Sequence, residues 1–471
     1  MNETEANFDI AIIGGGVVGC AIARELSGGS LTVALFESSS DLGNGTSKAN
    51  TAIWHTGFDT VPGSLESSLV HRGYEKLGIF AEQTGIALER TGAVLVAWDA
   101  EQAAALKNLQ EKALANGVVD TEIISAEEVI RREPHLGEGV QGGLVVPGEG
   151  IIDPWSVTLA FANQAVLRGV TLFRSTPILG ITEAQDRHLL ETHQGSYGAR
   201  WLINVAGLYS DVIDRMIGHE GFTITPRRGQ LLVFDKLARP LLSGIVLPVP
   251  TERTKGVLVS PTVWGNLLLG PTAEDLDDKG DTRSTSDGVK TLLADGKRIL
   301  PRLMDYDVTA VYAGLRAATE HRDYQITSYP NERYVCVGGI RSTGLTGSLG
   351  IAEYVAELLR SVGVEISSGK DLESGFTMPP LGECQIRPLQ DPNKISEDPA
   401  YGTVLCHCEQ VSLGEVRDAC HAMIAAENLE GVRRRTRALN GRCQGFYCGA
   451  EVVDVVAREL GTAPESLMGF Q

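Results

Sequence analysis

A short apolar run at positions 8–13 ends in Gly14-Gly15-Gly16. Val18, Ala21, Ile22 and Leu26 follow at the spacing of one buried helix face, and Gly28-Gly29 supplies the expected stop. A second apolar run, 31–36, closes on Glu37. The N-terminus therefore predicts strand, glycine turn, helix, strand. Polar residues dominate 38–50, which predicts a long loop. After Pro62-Gly63, the residues Leu65, Leu69, Gly73, Leu77 and Phe80 line one side of a predicted helix. A strand is predicted over 93–98 with a helix behind it, and Ser125 with Glu128 has the form of a capping box. Strand-like runs recur at 143–146, 231–234, 257–259 and 267–269.

Two later runs, 201–205 and 333–337, are apolar in the manner of strands buried in a parallel sheet. Each leads into a glycine-bearing turn and a helix, which returns the chain to its N-terminal fold. The predicted class is thus α/β and α+β. A Rossmann-like nucleotide-binding lobe (1–85, 146–220, 331–365) interleaves with a β-rich substrate lobe (86–145, 221–330). Pro, Gly, Asp and Ser with weak periodicity at 366–400 predict a linker, and 401–471 forms a separate small helical module.

Composition narrows the function. Of 471 residues, 43% are hydrophobic and 21% charged, which excludes disorder as the main state. With 41 basic against 60 acidic residues the net charge is −19, which argues against nucleic-acid binding. The one basic run, at 433–437, sits in a tail where arginines are outnumbered by acidic residues. No apolar run approaches the ~18 residues of a membrane span, so no transmembrane segment is expected. Residues 1–7 are polar and acidic, unlike a signal peptide. The expected location is the cytoplasm, with any membrane contact made peripherally through a partner. The 54 glycines exceed the usual ~7% and point to tight turns and close backbone approach to a ligand.

The pattern Gly14-x-Gly16-x-x-Gly19, placed between strand and helix with Glu37 at the end of the next strand, is a dinucleotide fingerprint. Gly14 permits the turn, Gly16 lets N–H groups approach a pyrophosphate, and Gly19 allows close helix–strand packing. The helix N-terminus favours the phosphates, and Glu37 can accept from ribose hydroxyls. Glu37 suits NAD or FAD. The polar loop 41–50 favours FAD, as does a second Gly/Ser/Thr turn at 337–348 that opens a helix toward the flavin.

Several further stretches carry a family resemblance. They are Trp54-His55-Thr56-Gly57, Pro147 to Pro154, Asn204-Val205-Ala206-Gly207, Pro226-Arg227-Arg228-Gly229-Gln230, Gly270-Pro271-Thr272, Tyr312-Ala313-Gly314-Leu315-Arg316 and the 338–354 segment. Over 8–360 the chain resembles the D-amino-acid-oxidase superfamily of flavoproteins, and within it the anaerobic glycerol-3-phosphate dehydrogenase large subunits and the L-2-hydroxyglutarate oxidases. The resemblance implies FAD contacts at Glu37, Ser47, Asn50, Ala206, Gly207, Gly339, Gly344, Leu345 and Thr346. It implies an active-site role for His55, with a neutral imidazole suited to taking the substrate's hydroxyl proton. Arg316 and Arg341 become candidates to grip an anionic substrate.

Eight cysteines are present, five of them after residue 400. Cys406-x-Cys408 and Cys443-x4-Cys448 depart from the usual ferredoxin runs and from zinc knuckles. This tail, with its run Gly431 to Arg437, resembles the bacterioferritin-associated-ferredoxin-like 2Fe-2S domain. The resemblance makes Cys406, Cys408, Cys443 and Cys448 the cluster ligands; zinc is the alternative. Ser412 and Glu415 predict a capped helix in the spacer, with Cys420 on its buried face. The arginine run could neutralise the cluster or form a solvated face.

Together these features predict an FAD-dependent dehydrogenase acting on a small anionic alcohol: glycerol 3-phosphate, a related polyol phosphate or a 2-hydroxy acid such as 2-hydroxyglutarate. Electrons would leave through the 2Fe-2S cluster to a redox partner protein or a quinone-linked acceptor. The rival readings are an amine or amino-acid dehydrogenase of the same superfamily and a non-catalytic electron-transfer subunit.

Overall fold

The computed structural model describes residues 4–184, 186–250, 256–366 and 376–468. The N-terminal strand Thr4–Ile13 is the centre of an eight-stranded sheet. It runs parallel to Val33–Phe36 on one side and to Gly195–Asn204 on the other, with Ile10 opposite Val33 and Trp201. Tyr334–Gly338 joins Gly195–Asn204 in parallel, Leu202 facing Tyr334, so both late apolar runs are buried strands of this sheet. The helix Val17–Leu26 buries Val18, Ala21, Ile22 and Leu26, the residues its periodicity marked. Gly344–Ser361 and Leu65–Thr84 complete this layer around one apolar core.

A second sheet has nine strands, among them Ala93–Ala97, Gly142–Val146, Thr225–Phe234, Leu267–Gly270 and Val308–Ala318. Thr225–Phe234 and Val308–Ala318 pair antiparallel along nearly their whole length. Ser286–Ile299 covers this sheet with Leu292 and Ile299. A third, three-stranded sheet joins Ile53–Trp54, Gly150–Ile152 and Leu88–Glu89. It places Trp54 opposite Gly150, which brings His55 beside Glu149.

The stretch expected to be a linker lies outside the described residues at 367–375. From 376 onward it is packed. Leu381 joins a core with Ala87, Val263 and Trp264, and the Arg387 guanidinium donates to Glu415 at 2.7 Å. The C-terminal module has its own core of Leu405, Val411, Val416, Val432, Val452 and Val456. Ser412 and Glu415 form the expected capping box on Leu413–His421, and Cys420 lies in the core. Among the described residues no helix is long and apolar enough to cross a membrane.

Candidate active site

A cleft lies between the two large sheets and encloses about 1160 Å³, part of it open to solvent. Its floor is the glycine turn. Gly14 has φ +117°, and a Cβ there would lie 2.3 Å from the Val205 carbonyl oxygen. A Cβ on Gly19 would lie 1.9 Å from the Gly14 oxygen, so the helix can approach the strand only as glycine. Gly16 caps Val17–Leu26 without any side-chain hydrogen bond, which leaves the helix N-terminus facing the cleft. Ser47 accepts the Val17 N–H at 3.0 Å, and Glu37 accepts the Gly15 N–H at 2.8 Å.

The remaining candidates gather around this floor. Gly16, Gly19, Ser47, Asn50, Gly207, Gly339, Gly344 and Leu345 line the cleft. Asn50 shapes its own loop: its amide donates to the Ser47 carbonyl and its oxygen accepts from the Ala52 N–H. The Ala206 N–H is turned onto Asn204, whose amide donates to Tyr334 and the Ser210 carbonyl. Thr346 accepts the His55 N–H at 3.1 Å. A glycine cradle, a helix N-terminus capped by glycine and an acidic residue at the second strand fit the phosphates and ribose of a dinucleotide.

Arg316 and Arg341 line the same cleft but differ in state. Arg341 reaches the Arg322 carbonyl and lies 3.8 Å from Glu66. The guanidinium of Arg316, on Val308–Ala318, makes no hydrogen bond or ion pair among the described residues. Burial, and then the charge of Arg227, lower its pKa below the ordinary arginine value. An unpaired guanidinium in a cleft is a receptor for an anion.

His55 is placed behind the cleft wall rather than on it. Its Nδ1 meets Glu149 at 3.0 Å and its Nε2 meets Asp59 at 3.0 Å. Burial alone would depress its pKa. The charge of Glu149, with hydrogen bonds from the ring to Asp59 and Glu149, outweighs burial and raises it well above the ordinary histidine value. The neutral base expected from the sequence is therefore not what this environment favours. Glu149 also accepts from the Thr56 N–H and hydroxyl, both at 2.7 Å. It stands inside a stretch quoted for the family resemblance, but its partner lies 94 positions upstream. Tyr312, which donates to the Asn50 carbonyl at 2.8 Å, and Thr46, which donates to the Leu315 carbonyl at 2.8 Å, tie the lobes across the cleft.

A model of FAD-dependent oxidoreductases, the D-amino-acid-oxidase type, matches residues 9–358. The chain belongs to this family. Residues 404–458 of the same flavoprotein match a BFD-like 2Fe-2S binding domain. A glycerol 3-phosphate dehydrogenase of Caloramator mitchellensis is 36% identical over 459 residues, covering 96% of this chain and 95% of that protein. An L-2-hydroxyglutarate dehydrogenase of Indibacter alkaliphilus is 31% identical over 273 residues, 57% of this chain and 68% of that one. The solved L-α-glycerophosphate oxidase of Mycoplasma pneumoniae, reduced and with FAD bound, superposes with a TM-score of 0.74 at 29% identity, over 79% of this chain and 99% of that one. The flavoprotein is thus a glycerol-3-phosphate-dehydrogenase-like FAD oxidoreductase with an appended iron–sulfur domain.

The domain's thiols fall into two pairs. Cys408 contacts Cys443, and Cys406 contacts Cys448. The N–H groups of Tyr447, Gly445 and Cys448 point to the Cys443 sulfur, and that of Leu439 points to Cys448. Among the described residues no group of three or more His, Cys, Asp or Glu side chains has the arrangement for a single metal ion. Two thiol pairs fit a two-iron cluster, with two thiolates for each iron and N–H donors to the sulfurs.

The arginine run is buried, not solvated. Arg435 grips Asp41 through both oxygens at 2.7 and 2.8 Å, and Arg434 reaches Asp41 at 2.6 Å. Asp41 precedes Leu42 and Gly43, and the Gly43 N–H donates to the Gly15 carbonyl at 2.9 Å. The iron–sulfur domain is thereby clamped to the loop that braces the glycine turn.

Proposed function

We propose that the flavoprotein oxidises glycerol 3-phosphate and releases the electrons through its 2Fe-2S domain to a one-electron acceptor protein or a quinone-linked carrier. The cation of Arg316, without an ion-pair partner among the described residues, carries this reading, because a guanidinium in a cleft holds a phosphate or carboxylate bidentately. The near full-length similarity to a glycerol 3-phosphate dehydrogenase supports it over a 2-hydroxy acid.

FAD, when bound, supplies the acceptor for the hydride lost from the alcohol carbon. The chain supplies the rest. Gly16, Ser47 and the first turn of Val17–Leu26 hold the pyrophosphate, and Glu37 the ribose. Arg316 fixes the substrate phosphate, which orients the carbinol carbon toward the cofactor. Arg341, tethered to Glu66, stands at the rim and adds positive potential. His55, held between Glu149 and Asp59, braces the Thr346 turn through its backbone N–H.

The test is anaerobic mixing of the FAD-loaded protein with glycerol 3-phosphate, L-2-hydroxyglutarate and a panel of amino acids. The flavin band should bleach rapidly with glycerol 3-phosphate alone. Bleaching by the hydroxy acid or an amino acid, with none by glycerol 3-phosphate, would overturn the substrate assignment.

A further inference from the structure

Three units meet at one buried joint. Trp155 sits in the first turn of Pro154–Leu167, fixed there by Asp153, which accepts its N–H at 2.9 Å. Its indole N–H donates to the Lys48 carbonyl at 3.1 Å, and Ser47, Ala49 and Asn50 on either side line the FAD cleft. Its ring packs on Trp264 with centroids 4.4 Å apart. Trp264 lies in the turn between Leu258–Pro261 and Leu267–Gly270 of the second sheet. The Arg437 guanidinium, from the iron–sulfur domain, lies 4.4 Å from the Trp264 centroid and 5.8 Å from that of Trp155.

Arg437 leads straight to the thiols. Its Nε donates to Glu409 at 3.1 Å, next to Cys408. Two residues further on, the Leu439 N–H points to the Cys448 sulfur. Arg437 and Leu439 have φ of +76° and +69°, a left-handed backbone uncommon for side chains of that size. The Trp264 indole nitrogen is buried without a partner among the described residues. Unusual backbone and an orphaned donor in one spot are features that function retains against stability.

We propose that Trp155, Trp264 and Arg437 form the electron bridge between the flavin cleft and the 2Fe-2S cluster. The bridge rests on the reading that the flavin is drained through the cluster. Reduced FAD, formed by hydride transfer, gives up its two electrons one at a time to the oxidised cluster, one ferric iron becoming ferrous each time, and a single flavin proton leaves to solvent over the two transfers. The second electron follows once an external one-electron acceptor has reoxidised the cluster. The indole rings replace an apolar gap with continuous π contact, and the guanidinium over them stabilises added negative charge. The hydrogen bond from Trp155 to the Lys48 carbonyl makes the contact with the cleft wall.

The full chain, loaded with both groups and free of substrate, tests this independently of the substrate assignment. A light flash with a soluble photoreductant injects single electrons. The phase whose rate is independent of reductant concentration reports redistribution between flavin and cluster. In Trp155→Leu and Trp264→Leu that phase should slow roughly tenfold or more, with flavin and cluster spectra and potentials unchanged. Trp155→Phe and Trp264→Phe keep the rings and should stay within about threefold of the parent rate. An unslowed phase in both Leu variants would overturn the bridge. Loss of flavin or cluster from both Leu variants while both Phe variants load normally would show a structural post instead, and would overturn it equally.

Discussion

Arg316 gives the sharpest test of the cleft. Replacing it with Ala removes a cation that has no ion-pair partner among the described residues, so none of their carboxylates loses a partner. Contrast Arg228 on the adjacent strand, which pairs with Glu274 at 2.6 Å and Asp281 at 3.3 Å and whose loss would take the ion-pair partner from Glu274. Arg316→Ala should therefore leave the melting temperature unchanged or raise it slightly, because burial already disfavours the charge. Hydrogen bonds to charged groups are worth ~1.5–3 kcal/mol. At ~1.4 kcal/mol per tenfold, KM for glycerol 3-phosphate should rise about 10- to 150-fold. Arg316→Lys should recover part of that, since a point charge replaces a fork. Unphosphorylated glycerol serves as the control: its kcat/KM should move little. An unchanged KM for the phosphate ester, or an equal loss for both substrates, would refute a phosphate contact at Arg316.

Other outcomes follow from the same geometry. Gly19→Ala drives a methyl into the Gly14 carbonyl, and the purified protein should lose its yellow colour at FAD concentrations that saturate the parent. Asp41→Asn leaves Arg434 and Arg435 buried without their counter-charge, a loss of ~3–5 kcal/mol by analogy with other broken buried pairs, seen as early proteolysis within 401–471. The Asp41 pKa lies below its ordinary value: burial opposes ionisation, but the two guanidinium groups outweigh it. The clamp is thus intact above about pH 4 and should loosen as pH falls below that, monitored by the same proteolysis. His55→Gln tests the opposite sign. The raised His55 pKa makes its contribution full below about pH 6.5 and lost as pH rises through the folded value, so the melting-temperature gap to the parent should shrink in alkali. Cys443→Ser should abolish the visible iron–sulfur absorption while leaving the flavin bands.

What the sequence made legible was local. The turn at Gly14, Gly16 and Gly19 depends on neighbouring residues, as does the Ser412–Glu415 box, and each shows in a few consecutive positions. The arginine run did not announce its role, because Asp41 lies almost 400 positions earlier and nothing near Arg435 marks it as buried. The sequence singled out His55, but its charge state depends on Glu149, which reaches it only through a three-stranded sheet. The 366–400 stretch has a linker's composition. Yet Leu381 and Arg387, with backbone bonds from Met378 and Glu383, hold its described part to two different surfaces. Composition averages over a window, whereas packing is decided by particular contacts within it.

The joint at Trp155, Trp264 and Arg437 bears on how freely such a tail could be exchanged. A module grafted from another protein would have to present two guanidinium groups at the spacing of Asp41's oxygens and a third over an indole. Cutting this chain before 401 would strip Asp41 of both guanidinium partners, Arg387 of Glu415 and Trp264 of Arg437 in one step. Gaining or shedding such a tail by recombination would therefore require coordinated change at 41, 155 and 264, in parts of the chain that recombination at the boundary leaves untouched.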